Sequence, residues 1–181
     1  MEVRRARIED AERIAEIHVR SWQGGYRGLI PQDYLDSLDP ARRLAFRIER
    51  LKDADWAHGG CLVVLGDDGD LAGFADVGRT RDTDPGTGLG PGPGPAGVAE
   101  VMAVYLAPEA WGAGLGRELM RASLRHLTDC GYEQVTLWVL ASNLRARRFY
   151  EAAGFRPDGG TKVDASHGFV LDEVRYRRAL P

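Results

Sequence analysis

Residues 98 to 140 constrain the fold more than any other part of this chain. Val98–Leu106 is a near-continuous apolar run of strand character, and such a run implies burial on both faces. The segment Trp111-Gly112-Ala113-Gly114-Leu115-Gly116-Arg117 follows it. A helix is then expected from Arg117 to about Cys130, where Gly131 stops it. Leu115, Leu119, Ser123 and Leu127 lie four apart and form its inner stripe. Gln134–Leu140 reads as a second strand. Strand, helix and strand in this order make a βαβ unit, so the two strands are parallel and joined by a right-handed crossover.

The flanking segments supply the rest of a mixed sheet. Val3 to Arg7 suits a short first strand. A helix starts near Asp10, with Ile14, Ile17, His18 and then Ser21 or Trp22 on one face, and the run Gln23 to Gly28 is expected to end it. Pro31 opens a further helical segment through Leu38. Ala41 to Lys52 carries Leu44, Ile48 and Leu51 at helical spacing. Cys61–Leu65 and Leu71–Gly78, joined by the turn residues Asp67-Asp68-Gly69-Asp70, form a hairpin. After the βαβ unit, Asn143 begins a helix that reaches Ala153, Phe155 starts an extended piece, and Phe169–Tyr176 alternates like a terminal strand. Residues 85 to 97 are dominated by glycine and proline and are expected to form a mobile loop inside a single domain spanning residues 1 to 181. A domain of α/β (α+β) class with a mixed sheet follows.

Composition narrows the function. With 24 basic and 27 acidic residues the formal net charge is -3, which does not suit a dedicated nucleic-acid binder. The longest apolar run, Val101 to Ala107, is far too short to cross a bilayer, and the charged start Met1-Glu2-Val3-Arg4-Arg5 is no secretory signal. Cys61 and Cys130 form no CxxC pair, and the four histidines lack ligand spacing. Reduced thiols, a cytoplasmic location and no metal are the expectations.

The chemistry concentrates at the glycines of 112 to 116. Glycine lets backbone approach a ligand closely, and a helix start offers unpaired N–H groups and a positive dipole end. Together they make an anion site suited to phosphate. A Walker-type phosphate-binding loop needs Gly-Lys-Ser/Thr where this chain has Gly116-Arg117-Glu118, and a dinucleotide fingerprint needs glycine at Arg117. A literal GxGxxG at Gly92 to Gly97 is set aside, because its prolines lack backbone donors and no helix follows directly.

In this segment the sequence resembles the GNAT superfamily of acyl-CoA-dependent N-acyltransferases. Its signature, Gln/Arg-x-x-Gly-x-Gly/Ala, maps onto Trp111 to Gly116, with Trp111 departing at the first position. A second signature is similar to Asn143-x-x-Ala146-x-x-Phe149-Tyr150-Glu151-x-x-Gly154-Phe155. Ser21-Trp22, Tyr26-Arg27-Gly28 and Pro31 resemble the N-terminal run of many bacterial members.

The resemblance implies a mixed, mostly antiparallel sheet with two splayed parallel central strands, here 98–106 and 134–140, flanked by helices. Pantetheine would lie in the gap against the backbone of Val104, Tyr105 and Leu106. The pyrophosphate of acetyl-CoA would sit on the amides of Gly112, Ala113, Gly114, Leu115, Gly116 and Arg117. Asn143 would touch the pantetheine arm or support its turn. Tyr150 stands where relatives carry the general acid that protonates the leaving thiolate. Glu100 stands where some relatives place a glutamate base, acting directly or through water, with an arginine-paired carboxylate as the bland alternative. Asp76 is a weaker base candidate. Trp22 and Tyr26 would shape the acceptor site. The implied activity is acetyl transfer from acetyl-CoA, the co-substrate, to a primary amine of a small molecule. A protein or peptide N-terminal or lysine acetyltransferase, and a non-catalytic acyl-CoA-binding module, are the alternatives. The expected partner is a small-molecule or peptide amine, with neither nucleic acid nor membrane, and a homodimer is left open.

Overall fold

The computed structural model describes residues 1–82 and 97–181. The glycine- and proline-rich loop expected at 85–97 lies, but for Gly97, outside the described residues. Seven strands form one sheet: β1 (Glu2–Arg5), β2 (Gly60–Leu65), β3 (Leu71–Arg79), β4 (Val98–Leu106), β5 (Gln134–Leu140), β6 (Arg156–Asp164) and β7 (Leu171–Ala179). Their order is β1-β2-β3-β4-β5-β7-β6. Among the described residues only β4 and β5 pair as parallel strands; every other strand pair is antiparallel. Five helices accompany the sheet: α1 (Ala11–Gly25), α2 (Gln32–Asp36), α3 (Pro40–Lys52), α4 (Leu115–Asp129) and α5 (Leu144–Ala152).

The βαβ unit has the form its pattern dictates. The α4 stripe of Leu115, Leu119, Ser123 and Leu127 is buried, and Ser123 returns its hydroxyl to the Leu119 carbonyl at 2.8 Å. Its neighbours in the core include Phe74, Val135, Leu137, Phe155 and Tyr176. A smaller cluster of Ile30, Leu35, Leu140 and Leu171 gathers Trp22, Tyr26, Tyr34 and Phe169 at the other end of β5.

Four expectations change. The first strand is Glu2–Arg5, because from Ala6 the chain leaves the β1–β2 ladder for a short turn at Ile8–Asp10. Helix α1 continues through Gly25, three residues into the stretch expected to end it, and closes when the Tyr26 amide donates to the Trp22 carbonyl. Strand β4 is buried over Val98–Val101 and only half-buried from Met102 to Leu106. The apolar run there lines a cavity rather than a sheet interior. On α3 the stripe Leu44, Ile48 and Leu51 is half-buried, and the fully buried residue is Arg47. Its guanidinium reaches Asp76 at 2.6 Å and lies 4.4 Å from the Phe74 ring centre. A buried charge with a partner is tolerated where an isolated one is not.

Candidate active site

The cavity originates in one irregularity of the sheet. The β3–β4 register shifts between Asp76 and Val77, leaving Met102 as an extra residue in β4. A bulge bends its strand and increases the local twist. Beyond it β4 parts from β5, which it meets at only three pairs: Val98–Gln134, Ala99–Val135 and Glu100–Thr136. The β4 edge from Val101 to Leu106 is therefore left without a strand partner, and a cavity of about 420 Å³ opens there. Val104, Tyr105 and Leu106 line it, as do Asn143 and Tyr150 from the α5 side.

The glycine loop stands at the end of β4. Gly112 and Gly114 both have φ of 83°, and a Cβ at either would meet nothing within 4 Å. Glycine is demanded there by the left-handed backbone. At Gly116 the reason is contact, since a Cβ would lie 3.2 Å from Leu106 Cδ1 and 3.5 Å from the Phe149 ring. Gly114 is the N-cap of α4, and among the described residues no backbone acceptor serves the amides of Gly112 to Gly116. A loop with free donors, open space and the positive end of a fifteen-residue helix is fitted to an anion.

Asn143 is 9% exposed and accepts the Ala146 amide at 3.1 Å, so it caps α5. Further along, Arg147 donates to the Ala141 carbonyl at 2.9 Å and to the Tyr176 hydroxyl at 3.0 Å, and that hydroxyl donates to Glu151 at 2.8 Å. Helix α5 is thus fastened to β7, and Tyr150 is held against Phe149 and Phe155 at centroid distances of 5.4 and 6.1 Å. Burial, and then the neighbouring Tyr105, push the Tyr150 phenol above its ordinary value. Tyr26 is raised by burial and by Tyr105 and Tyr150, so three phenols converge on the cavity.

Glu100 is 1% exposed, and Arg81 occupies it through the backbone amide at 2.9 Å and Nε at 3.1 Å on Oε2, and through Nη2 on Oε1. It lines the cavity as an arginine-paired carboxylate. Asp76 is absent from the cavity wall. Side chains alternate along β3, so Asp76 shares the face of Phe74 and turns to Arg47 beneath α1 and α3. That network continues to His18, whose Nδ1 accepts from Arg47 Nη2 at 2.9 Å. Burial, then the charges of Arg43 and Arg47, hold the His18 pKa down to about 2. His18 stacks on Tyr105 at 4.9 Å, fixing the far side of the cavity floor.

Trp22 and Tyr26 line the cavity, 4.8 Å apart between ring centres. His167 lies 5.8 Å from Trp22 and 5.6 Å from Tyr34. The sequence reading missed His167, Arg81, Arg145 and the Lys162–Glu173 pair, with Lys162 4.4 Å over Trp138, on this wall. Lys162, His167 and Glu173 come from the β6–β7 hairpin, and no local spacing signals that it folds back on β5. Arg145 was within reach, because it lies two residues from Asn143.

The model of the acetyltransferase (GNAT) family matches residues 11–155. The chain belongs to the GNAT acetyltransferase family. An N-acetyltransferase of Bacillus subtilis, YuaI, is 30% identical over 78% of this chain and 72% of that protein. The mycothiol acetyltransferase of Nocardiopsis dassonvillei is 41% identical, over 56% of this chain but 29% of that protein. Among solved structures, a GNAT phosphinothricin acetyltransferase from Sinorhizobium meliloti in complex with acetyl-CoA has a TM-score of 0.71 at 22% identity, covering 99% of this chain and 88% of that one. Among the described residues no group of three or more His, Cys, Asp or Glu is placed to hold a metal ion, and no helix is long and apolar enough to cross a membrane.

Proposed function

We propose that this GNAT protein transfers the acetyl group of acetyl-CoA to the primary amine of a small molecule by direct attack. One observation supports the reading: the unpaired β4 edge, Tyr150 and Trp111, the residue that leads into the glycine loop, line one cavity. The loop amides receive the pyrophosphate, and the β4 edge takes the pantetheine arm as an added strand would be taken. Of that edge the Leu106 carbonyl already accepts the Trp111 indole N–H at 3.1 Å, so the Val104 backbone and the Leu106 amide remain for the ligand, while Tyr105, like Ala107, turns its backbone groups to β3.

The amine enters neutral and attacks the thioester carbon. The oxyanion of the tetrahedral intermediate is met by a strand amide near Val104 or Leu106. Collapse expels the thiolate, to which Tyr150 donates. Arg81 covers both Glu100 oxygens, so Glu100 takes the amine proton through solvent rather than by direct contact. Trp22 and Tyr26 form the acceptor wall. A cavity of about 420 Å³, closed at this end by rings, favours a compact acceptor over a folded protein surface.

The test is to incubate the protein with acetyl-CoA and a panel of small amines, peptides with free N-termini and lysine peptides, following thiol release. Turnover of a small amine supports the proposal. Turnover confined to peptides moves the acceptor to the protein class. Tight acetyl-CoA binding with no turnover across the panel leaves an acyl-CoA-binding module.

A further inference from the structure

The chain has two lysines, Lys52 and Lys162, and their surroundings differ. Lys52 ends α3 with its side chain 54% exposed, 4.0 Å from Glu49, and it is no part of the cavity wall. Lys162 lies in β6 and lines the cavity together with Val104 of the β4 edge and Tyr150. Three strands fix its place. Lys162 faces Glu173 across the β6–β7 ladder, and its Nζ lies 3.2 Å from Glu173 Oε2. Glu173 pairs in turn with Leu140 of β5. Residues two apart on a strand share a face, so Trp138 stands on the same side as Leu140. Nζ reaches that ring and lies 4.4 Å from its centre.

Trp138 is two residues beyond Thr136, the last residue of β5 that pairs with β4. The Lys162 amine is therefore held over β5 where the gap between β4 and β5 begins. It is held on the face where Leu140 packs with Trp22 and Tyr26, the side from which an acceptor amine would enter. Only a neutral amine attacks a thioester, so the ammonium must first give up a proton. The Glu173 carboxylate stands beside it to take one. The contacts with Glu173 and Trp138 confine a long, flexible side chain, and a confined nucleophile reacts faster than one that must arrive by collision.

We propose that Lys162 is a self-acetylation site: without an amine acceptor, the protein transfers the acetyl group of acetyl-CoA to its own Lys162. One proton passes from the ammonium to Glu173 and on to water. Nζ then attacks the thioester carbon, so that the N–C bond forms and the C–S bond breaks. The nitrogen loses its second proton and the departing thiolate gains one. The products are acetyl-lysine, CoA thiol and one released proton. Acetylation removes the charge that pairs with Glu173 and lies over Trp138, and it leaves an unpaired carboxylate on the cavity wall. The proposal rests on the acetyl-CoA reading above.

The experiment incubates the full chain with acetyl-CoA and no amine, beside the K162R variant and a sample unfolded in guanidinium chloride. Peptide mass spectrometry locates the acetyl groups. Acetyl-CoA binding, and thiol release with small amines, are measured on the same wild-type preparation. Lys162 should be acetylated at least roughly 10-fold faster than Lys52, with a rate constant independent of protein concentration. K162R should lose that modification, and unfolding should abolish the preference. Equal labelling of the two lysines, or faster labelling of Lys52, marks solution chemistry and overturns the proposal. So does a rate constant that rises with protein concentration, which marks transfer between molecules. Turnover of a small amine with Lys162 left unmodified overturns self-acetylation and leaves the proposed function standing. Lys162 acetylation with no turnover of any amine supports self-acetylation and refutes the small-molecule acceptor. Failure of the wild type to bind acetyl-CoA refutes both.

Discussion

Replacing Tyr150 by phenylalanine isolates the chemical step, because it removes one hydroxyl from a ring whose packing is otherwise fixed. The ring touches Phe149 and Phe155, and those contacts survive in the variant. Burial raises the phenol, so it is protonated throughout the working pH range and available to donate. A thiol of ordinary pKa about 8.5 would take a proton from a phenol near 10 at a cost of roughly 2 kcal/mol. Within the cavity the departing thiolate is desolvated by the same walls, which raises its basicity along with that of Tyr150. The pair stays matched, and the hydroxyl can bond the sulfur as charge develops. General-acid catalysis of this kind contributes about 10²–10⁴-fold, or roughly 3–5 kcal/mol of barrier. Tyr150→Phe should therefore keep acetyl-CoA affinity and melting temperature while losing kcat by that factor on any acceptor the wild type uses. No basic limb from Tyr150 should appear in the wild-type pH–rate profile below pH 10. The decisive assay is single-turnover thiol release, which excludes product release from the measurement. A single-turnover rate within threefold of wild type would show that solvent, not Tyr150, protonates the thiolate.

Four further outcomes follow from the same geometry. Gly114→Ala places a side chain at φ 83° in open space, so it should cost about 1–2 kcal/mol in denaturant unfolding, and acetyl-CoA titration should show weakened binding; unchanged affinity would remove the loop from the cofactor site. His18 is neutral when folded, with a pKa of about 2 against about 6.5 unfolded, so stability is fully present above pH 6.5 and falls as the pH drops toward 2, by up to about 1.4 kcal/mol per unit. Urea midpoints from pH 7 to 4 should show that slope, flattened in His18→Gln; equal slopes would refute the assignment. Asp76→Ala strands the buried Arg47 charge and should cost about 3–5 kcal/mol by chemical denaturation, where a surface pair would cost under 1. Glu100→Gln keeps the Arg81 backbone bond but not the charge; a fall in kcat/KM with unchanged acetyl-CoA affinity supports proton transfer through solvent, and wild-type kcat/KM leaves a purely structural pair.

The parts of the molecule that were legible in the sequence are those written by local rules. The helix stripe Leu115–Leu119–Ser123–Leu127, the loop glycines and the Asn143 cap each state their structure within a few residues. Strand β4 was half legible: its composition gave a buried strand, but its burial past Val101 depends on whether β5 remains alongside, and the bulge at Met102 has no sequence mark. Arg47 was illegible on α3 for a related reason. A charged residue reads as surface until its partner, Asp76, is known to arrive from a strand 29 residues away.

The same division separates the two ends of the groove. The end proposed for the cofactor is made mostly from backbone: free amides of 112–116, an unpaired strand edge and a capped helix start. Backbone donors recognise phosphate and amide without a particular side chain, so spacing alone discloses them. The end proposed for the acceptor is made from side chains of α1, the α1–α2 connection and the β6–β7 hairpin, which meet only after β7 has paired with β5 along its whole length. Trp22, Tyr26 and His167 can each be exchanged without disturbing a glycine or a cap. Acceptor choice can therefore drift while acetyl-CoA chemistry is retained, and it must be read from this wall rather than from the signature.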